Sequence, residues 1–542
     1  MEYIHLANNL FTGPLPDRFG EVGLSNLLGL AIFGNYFTGE IPKSLAGLGA
    51  LASLSLHFND FTGPVPEELC DASGLILLEA DCGGDPAPNA CSCCRTCCDR
   101  GDGTCQRLER RLALGDDLEG IGKEKEAEMM DFDPLLLPGK RRLQSNECTA
   151  QFRLDSQSGL LVPYEEEFSG SNPSGSPTLD PVPALSSNLV RRMELIDWAG
   201  VDLISHSPDA FESAVVWFNN DELIFTNAAW GLETSTGDTP EDKLNIQRFV
   251  LAWFWFHTTK DGDWPWVSCN PPDESKGENE FCDLLEISEV ENIENELVMC
   301  YVSIPGEIRW LSKREECAWP GVNCDPDTQT NVIEIELFAV GLSGEFPSFL
   351  QLMPGLLSIQ LTYGGISGTF PADMDGFKDI IQLVVVGHQL EDPFPESFFD
   401  MPLFTLNLGF NKFRGPLPEG LGNFQQIGGL YLNDNQFSGP LPESLSGAKS
   451  LEYLRLEFNP LQGSTLPASW GDLSNLKELY IQGSGLVGTI PEEYSKLTSM
   501  QNFRLFGNEL EGTLPNMTEW ADLERLIMQG NYLNGTFPEE LL

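Results

Sequence analysis

A phrase of about two dozen residues returns along the chain, and this period constrains the fold more than any other feature. The phrase is L-x-L-x-x-N-x-F-x-G-x-L-P, with a period of 23–26 residues. It reads Leu30, Ile32, Asn35, Phe37, Gly39, Ile41-Pro42, and returns as Leu54, Leu56, Asn59, Phe61, Gly63, Val65-Pro66. A copy cut at its front precedes them: Ile4, Leu6, Asn9, Phe11, Gly13, Leu15-Pro16. A second set begins near residue 332, with Leu406, Leu408, Asn411, Phe413, Gly415, Leu417-Pro418 among its clearest copies. Its closing prolines are Pro347, Pro371, Pro395, Pro418, Pro442, Pro467, Pro491, Pro515 and Pro538, which makes nine copies.

Such a period means stacked coils. L-x-L is a short strand whose leucines point inward while the intervening residues face solvent. The Asn turns the chain and hydrogen-bonds backbone that would otherwise be unsatisfied inside the coil. The Phe stacks on its counterparts, Gly permits a tight bend and Pro ends the second strand. No coil buries its own apolar face, so coils must stack and the end coils need caps.

These residues resemble plant-type leucine-rich repeats with their L-x-G-x-I-P signature, over roughly 1–82 and 317–542. The resemblance implies an α/β solenoid: a right-handed superhelix in two leucine-rich-repeat modules, each with a parallel sheet on its concave side. Cys317-Ala-Trp319-Pro-Gly321-Val322-Asn-Cys324 resembles the paired-cysteine N-terminal cap of that family. It implies a Cys317–Cys324 bridge, with Trp319 covering the first coil. Arg248 to Phe256 suits a buried helix, and Asp261 to Trp266 a turn with aromatic anchors. This order of helix, turn, cap and repeats resembles secreted and surface leucine-rich-repeat proteins of diatoms.

The organisation expected is a three-repeat tail of a first module (1–82), a Cys-rich C-terminal cap (83–105), an acidic disordered linker (106–185), an enlarged helical N-terminal cap (186–331) and a nine-repeat second module (332–542). Cys82, Cys91, Cys93, Cys94, Cys97, Cys98 and Cys105 read either as a disulfide knot or as zinc ligands. Adjacent cysteine pairs with no nearby His favour the knot. Lys140-Arg141-Arg142 reads as a solvated basic cluster or a processing site. Met1 falls just before a strand and Leu542 inside a coil, so both ends are expected to expose core leucines, as in a fragment of a longer secreted or membrane-tethered protein or an incomplete gene model.

Composition excludes several functions. With 82 Asp+Glu against 31 Lys+Arg, the net charge of −51 argues against a nucleic-acid binder, which needs a basic footprint. No apolar run is long enough to span a membrane, and no signal peptide opens the chain. No nucleophile elbow, phosphate loop or metalloprotease motif is present, so no catalytic residue, cofactor or resident metal is assigned and the protein reads as non-enzymatic. Acidic pairs such as Glu492-Glu493 suit a solvated face, with weak Ca²⁺ binding as the sharper alternative.

Function is expected on the strand positions that face solvent. Register places Tyr431, Tyr453, Arg455, Tyr480, Arg504 and Phe506 in one ligand-binding patch across successive coils. Tyr and Arg dominate interface hot spots. Asn516 and Asn534 are glycosylation sequons. The reading is an extracellular or cell-surface recognition protein for a protein, peptide or polysaccharide. The alternatives are the ectodomain of a receptor-like membrane protein, with or without a linked kinase, a structural adhesive or cell-wall glycoprotein, and a hydrolase inhibitor.

Overall fold

The computed structural model describes residues 1–19, 24–83, 89–100, 103–107, 150–154, 161–163, 208–220, 240–259, 269–271, 281–293, 296–312, 314–353, 355–372 and 374–541. They fall into two compact units, 1–133 with 415–542, and 134–414. The turn expected at Asp261 to Trp266, the Lys140–Arg142 cluster and most of the linker lie outside the described residues.

In the unit 134–414, Val322–Cys324 pairs antiparallel with Val332–Phe338. Ser358–Thr362, Gln382–Val386 and Thr405–Asn407 then follow in parallel. The helix Pro240–Thr258 contains the apolar stretch read from the sequence and buries Phe249 through Trp255. Trp253 stacks on Phe349 at 4.0 Å, which seats this helix on the first coil. Arg248 fastens the helix to the cap: its guanidinium lies 5.0 Å from the ring of the buried Trp319 and 3.2 Å from the Glu316 carboxylate. The Cys317–Cys324 bridge is present, as is Cys269–Cys282. One expectation fails inside the linker. Ala150–Leu154 and Leu161–Pro163 are strands of an antiparallel sheet with the hairpin Phe281–Ile293 and Glu296–Ile308. The alternation of Ala150, Phe152 and Leu154 carries a strand pattern that the acidic, Pro-rich surroundings obscured.

In the other unit, the parallel strands run Gly429–Tyr431, Tyr453–Arg455, Glu478–Tyr480, Asn502–Arg504 and Arg525–Ile527. The next strand is Tyr3–His5, in register with Arg525–Ile527, followed by Gly29–Ala31, Ser53–Ser55 and Leu77–Ala80. The two ends expected to expose core leucines therefore close on each other, because an open coil edge presents unpaired backbone and apolar side chains that a matching coil satisfies. The joint repeats the bonds between ordinary coils. Asn9 Nδ2 donates to Met528 O at 3.0 Å, and Leu533 N donates to Asn9 Oδ1 at 3.1 Å. Phe19 meets Phe537 edge-on at 5.2 Å, and Arg18 pairs with Glu539 at 3.2 Å. Beyond Leu77–Ala80, the hairpin Thr96–Asp99 and Thr104–Arg107 covers the last coil. It is fixed by Cys70–Cys93, Cys82–Cys97, Cys91–Cys94 and Cys98–Cys105.

Within each coil the Asn acts as expected. Asn59 Nδ2 donates to Ile32 O and Leu56 O, both at 3.0 Å, while its Oδ1 accepts from Phe37 N at 3.1 Å. The Phe spine stacks coil on coil, with Phe11–Phe37 at 6.1 Å and Phe37–Phe61 at 6.3 Å. Gly39 takes φ +80°, a left-handed bend that disfavours any side chain. Gly364 and His388 stand where the phrase calls for Asn, and these two departures explain each other. His388 Nδ1 accepts from Ile366 N at 3.2 Å, the role that Asn411 Oδ1 plays for Leu390 N at 3.1 Å. The imidazole is larger than an amide, and a Cβ on residue 364 would come within 2.8 Å of it. Gly364 makes the room.

Two predictions follow from this packing. Ile4→Asp puts a carboxylate into the joint between strands Arg525–Ile527 and Tyr3–His5. Hydrogen-exchange protection should then be lost in 3–12 and 525–535 well before the rest of the coils open. Burial holds His388 down to about 4 from 6.5, so the unfolded state binds the extra proton between those values. Its contribution is complete above pH 6.5 and is lost as pH falls toward 4, on the order of 3 kcal/mol. His388→Asn should flatten that part of the acid side of a stability–pH curve measured by denaturant unfolding.

Candidate functional site

Residues on the solvent side of the strands in the unit 1–133 with 415–542 come together as the register requires. Tyr431, Arg455, Tyr480 and Arg504 occupy one column in successive coils. They form a ladder of alternating rings and guanidiniums. Arg455 lies 5.6 Å from the Tyr431 ring and 4.5 Å from the Tyr480 ring, and Arg504 lies 4.4 Å from the other side of Tyr480. Lys477 sits 5.8 Å from the Tyr453 ring in the neighbouring column.

The expectation of six solvent-facing side chains needs correcting. Tyr480, Arg504 and Arg455 are only 2%, 4% and 5% exposed, while Tyr431, Tyr453 and Phe506 are half-buried. Strands about 4.8 Å apart leave long planar side chains little choice but to lie on one another, so they cover themselves. Arg455 also pairs with Glu478 Oε2 at 3.1 Å, and Asn502 Nδ2 donates to Glu478 Oε1 at 3.2 Å. The rungs Arg455, Tyr480 and Arg504 are thus closed to solvent, and of the six only Tyr431, Tyr453 and Phe506 reach it.

A second column, two residues further along each strand, holds Asn433, Glu457, Gln482, Phe506 and Gln529. Glu457 and Gln482 are each 6% exposed. Glu457 Oε2 and Gln482 Oε1 have no hydrogen-bond partner. Burial, reinforced by Asp434, pushes the Glu457 carboxyl up to about 8 against the opposing pull of Arg455 and Arg504. Burial likewise raises Asp434 to about 6, although Asn433 Nδ2 donates to it at 2.9 Å. Beside them, Phe458 is 51% exposed. Its ring rests on Gly483, where a Cβ would be 2.8 Å away. The sequence phrase gave no reason to single out Phe458, since it occupies the position just before the turning Asn, where other coils carry Asn8, Phe58 or Asp434.

The thiolate-metal alternative for the C-terminal cap does not fit. Among the described residues, two groups have ligand atoms within 4.8 Å of one another, Cys82 with Cys91 and Cys94, and His57 with Cys98 and Cys105, but every sulfur in them is in a disulfide. Sequon residues Asn516 and Asn534 are both exposed.

The buried carboxyl has a definite pH signature. The folded state holds the Glu457 proton between 4.5 and about 8, so this group's contribution is greatest at low pH and is lost as pH rises through that window. Glu457→Gln cannot ionise. Relative to the parent it should gain on the order of 3 kcal/mol between pH 5 and pH 8.5 in denaturant unfolding. A difference independent of pH would mean the carboxyl is not buried as described.

A family model described as "Leucine Rich Repeat" matches residues 402–424. No curated protein matches the sequence. Among solved structures, the chain is similar to the Arabidopsis receptor kinase HAESA in complex with the peptide hormone IDA and its co-receptor, at 33% identity over 41% of this chain and 38% of that one, with a TM-score of 0.40. It is also similar to the plant peptide hormone receptor RGFR1 in complex with RGF2, at 16% identity over 100% of this chain and 51% of that one, TM-score 0.37. A plant ice-binding protein is similar at 24% identity over 42% of this chain and 82% of that one, TM-score 0.35. The chain spans about two-fifths of the length of the HAESA structure. The repeated coil, its Asn and Phe ladders and the family model matched at 402–424 together give these coils the leucine-rich-repeat fold of the plant-type pattern.

Proposed function

We propose that the protein is a non-enzymatic recognition protein of the extracellular space or cell surface, binding a protein, peptide or polysaccharide on the concave, strand-lined face. The observation that carries this reading is the Tyr431–Arg455–Tyr480–Arg504 ladder. Four large side chains in consecutive coils are fixed before any partner arrives, so little rotamer entropy remains to be lost on binding. Half-buried Tyr431, Tyr453 and Phe506 then offer rigid aromatic contacts of the kind that dominate interfaces. An oxidising compartment is supported by six disulfides among the described residues. Exposed Asn516 and Asn534 are compatible with glycosylation there. No described helix is long and apolar enough to cross a membrane.

The test is capture of native cell-surface material by the full chain, with a matched variant. Tyr431→Ala with Phe506→Ala should weaken capture at least tenfold, about 1.4 kcal/mol or more, with the unfolding midpoint little changed. Undiminished capture by the double variant would remove the ladder face from the reading.

A further inference from the structure

Outside the ladder, the least explained feature of the sheet face is a buried carboxyl and a buried amide with vacant acceptors, next to an exposed ring. Glu457 Oε2 and Gln482 Oε1 lack donors although both side chains are more than nine-tenths buried. An unsatisfied buried acceptor costs about 1–3 kcal/mol, so two in adjacent coils is an expensive arrangement. Glu478, one column away, accepts from both Arg455 and Asn502, whereas Asn502 Oδ1 and, further along the column of Glu457 and Gln482, Gln529 Oε1 share the lack of a partner. Phe458 is the large apolar side chain next to this pair, and half of it faces solvent.

Resting on the recognition reading above, we propose that Phe458, Glu457 and Gln482 form a subsite for one ring of a neutral saccharide. The apolar face of the sugar packs on the Phe458 ring. Adjacent hydroxyls donate to Glu457 Oε2 and Gln482 Oε1. These oxygens are closed to water in the free protein, so binding requires the side chains over them to move aside. Hydroxyls suit the pair because they donate without bringing charge. A cationic ligand suits it less, since the groups facing Glu457 are Arg455 and Arg504 as well as Asp434. Two of those three would repel an added cation. The carboxyl raised to about 8 by burial is also neutral at neutral pH, so it offers one O–H donor beside its acceptor oxygen, a pair that a sugar hydroxyl can meet from either side.

The test uses the disulfide-intact full chain and neutral β-1,4-linked hexasaccharides of glucose, mannose and xylose, followed by calorimetry and by protein NMR. Saturable binding of at least one hexasaccharide is expected. Phe458→Ala should reduce its affinity at least tenfold, and Gln482→Leu or Glu457→Leu at least fivefold. Glu457→Gln keeps an acceptor oxygen and should bind at least threefold more tightly than Glu457→Leu. Unchanged unfolding midpoints for Phe458→Ala show that the loss is not misfolding, since that ring is already half in solvent. The proposal is overturned if no hexasaccharide binds, or if binding ignores Phe458→Ala. It is also overturned if the face instead binds a lysine tetrapeptide, with affinity that grows from pH 6 to 9 and falls equally in Glu457→Gln and Glu457→Leu. If the hexasaccharides fail while capture of cell-surface material still depends on Tyr431 and Phe506, the subsite is wrong and the recognition reading stands. If both fail, the face itself is not the binding surface.

Discussion

Everything in these coils depends on satisfying the backbone where the chain turns inward. A coil that bends within a few residues of its strand leaves carbonyls and amides pointing into an apolar interior, and each would cost a lost hydrogen bond. The buried Asn meets that demand between neighbours as well as within its own coil. Asn459 reaches Leu432 O in the preceding coil at 2.9 Å while holding Leu456 O in its own at 3.0 Å. Asn508 does the same for Ile481 and Leu505. The requirement is for an acceptor and donors in that place, not for asparagine as such. His388 meets it with a ring nitrogen and a glycine opposite. At the last coil, Asp81 meets it with a carboxylate that accepts from Phe58 N and Asn59 N at 2.7 and 3.2 Å, where the disulfide hairpin takes over.

The same close spacing that stacks the interior also decides what the outer sheet face can offer. Side chains there are separated by one strand width, so planar groups stack and long ones lie down. An arginine between two tyrosines is therefore a stiff strut and only a weak lure for anions. Solvent is reached only at the margins of the stack, by the half-buried Tyr431, Tyr453 and Phe506 and the protruding Phe458.

The period, the inward leucines, the turning Asn, the Phe spine, the Cys317–Cys324 bridge and the cap helix around Trp253 were all legible in the sequence. The first four follow from a local rule repeated many times, whereas the bridge was implied by the family resemblance of Cys317 to Cys324 and the helix by one apolar run. The face column Tyr431, Arg455, Tyr480, Arg504 was legible as a list, because register alone fixes which residues share a column. Its burial was not, because exposure depends on how neighbouring columns fall across one another. Glu457 and Gln482 could be placed in the adjacent column, but the vacancy of their acceptors is a three-dimensional fact. Strand 150–154 was hidden because its near partner, Leu161–Pro163, is only three residues long and its other partner lies about 150 residues further on.

The joint between Arg525–Ile527 and Tyr3–His5 shows how little a repeat stack cares about chain order. Each coil answers only to its two neighbours, so stability is a sum of local interfaces. Any coil that presents Ile4, Asn9 and Phe11 in the right register can follow one that presents Leu526, Met528 and Leu533, whatever their numbers. On a chain of net charge −51 the polar part of that interface still has to avoid like-charge repulsion. It does so by matching signs, Arg18 to Glu539 and Arg525 toward Glu2 at 3.9 Å. Such exposed pairs add little energy. Their effect is on register: slipping the joint by one residue would separate these charges and turn Ile4 and Leu526 out of the interior together, so the apolar pattern and the charge pattern select the same alignment.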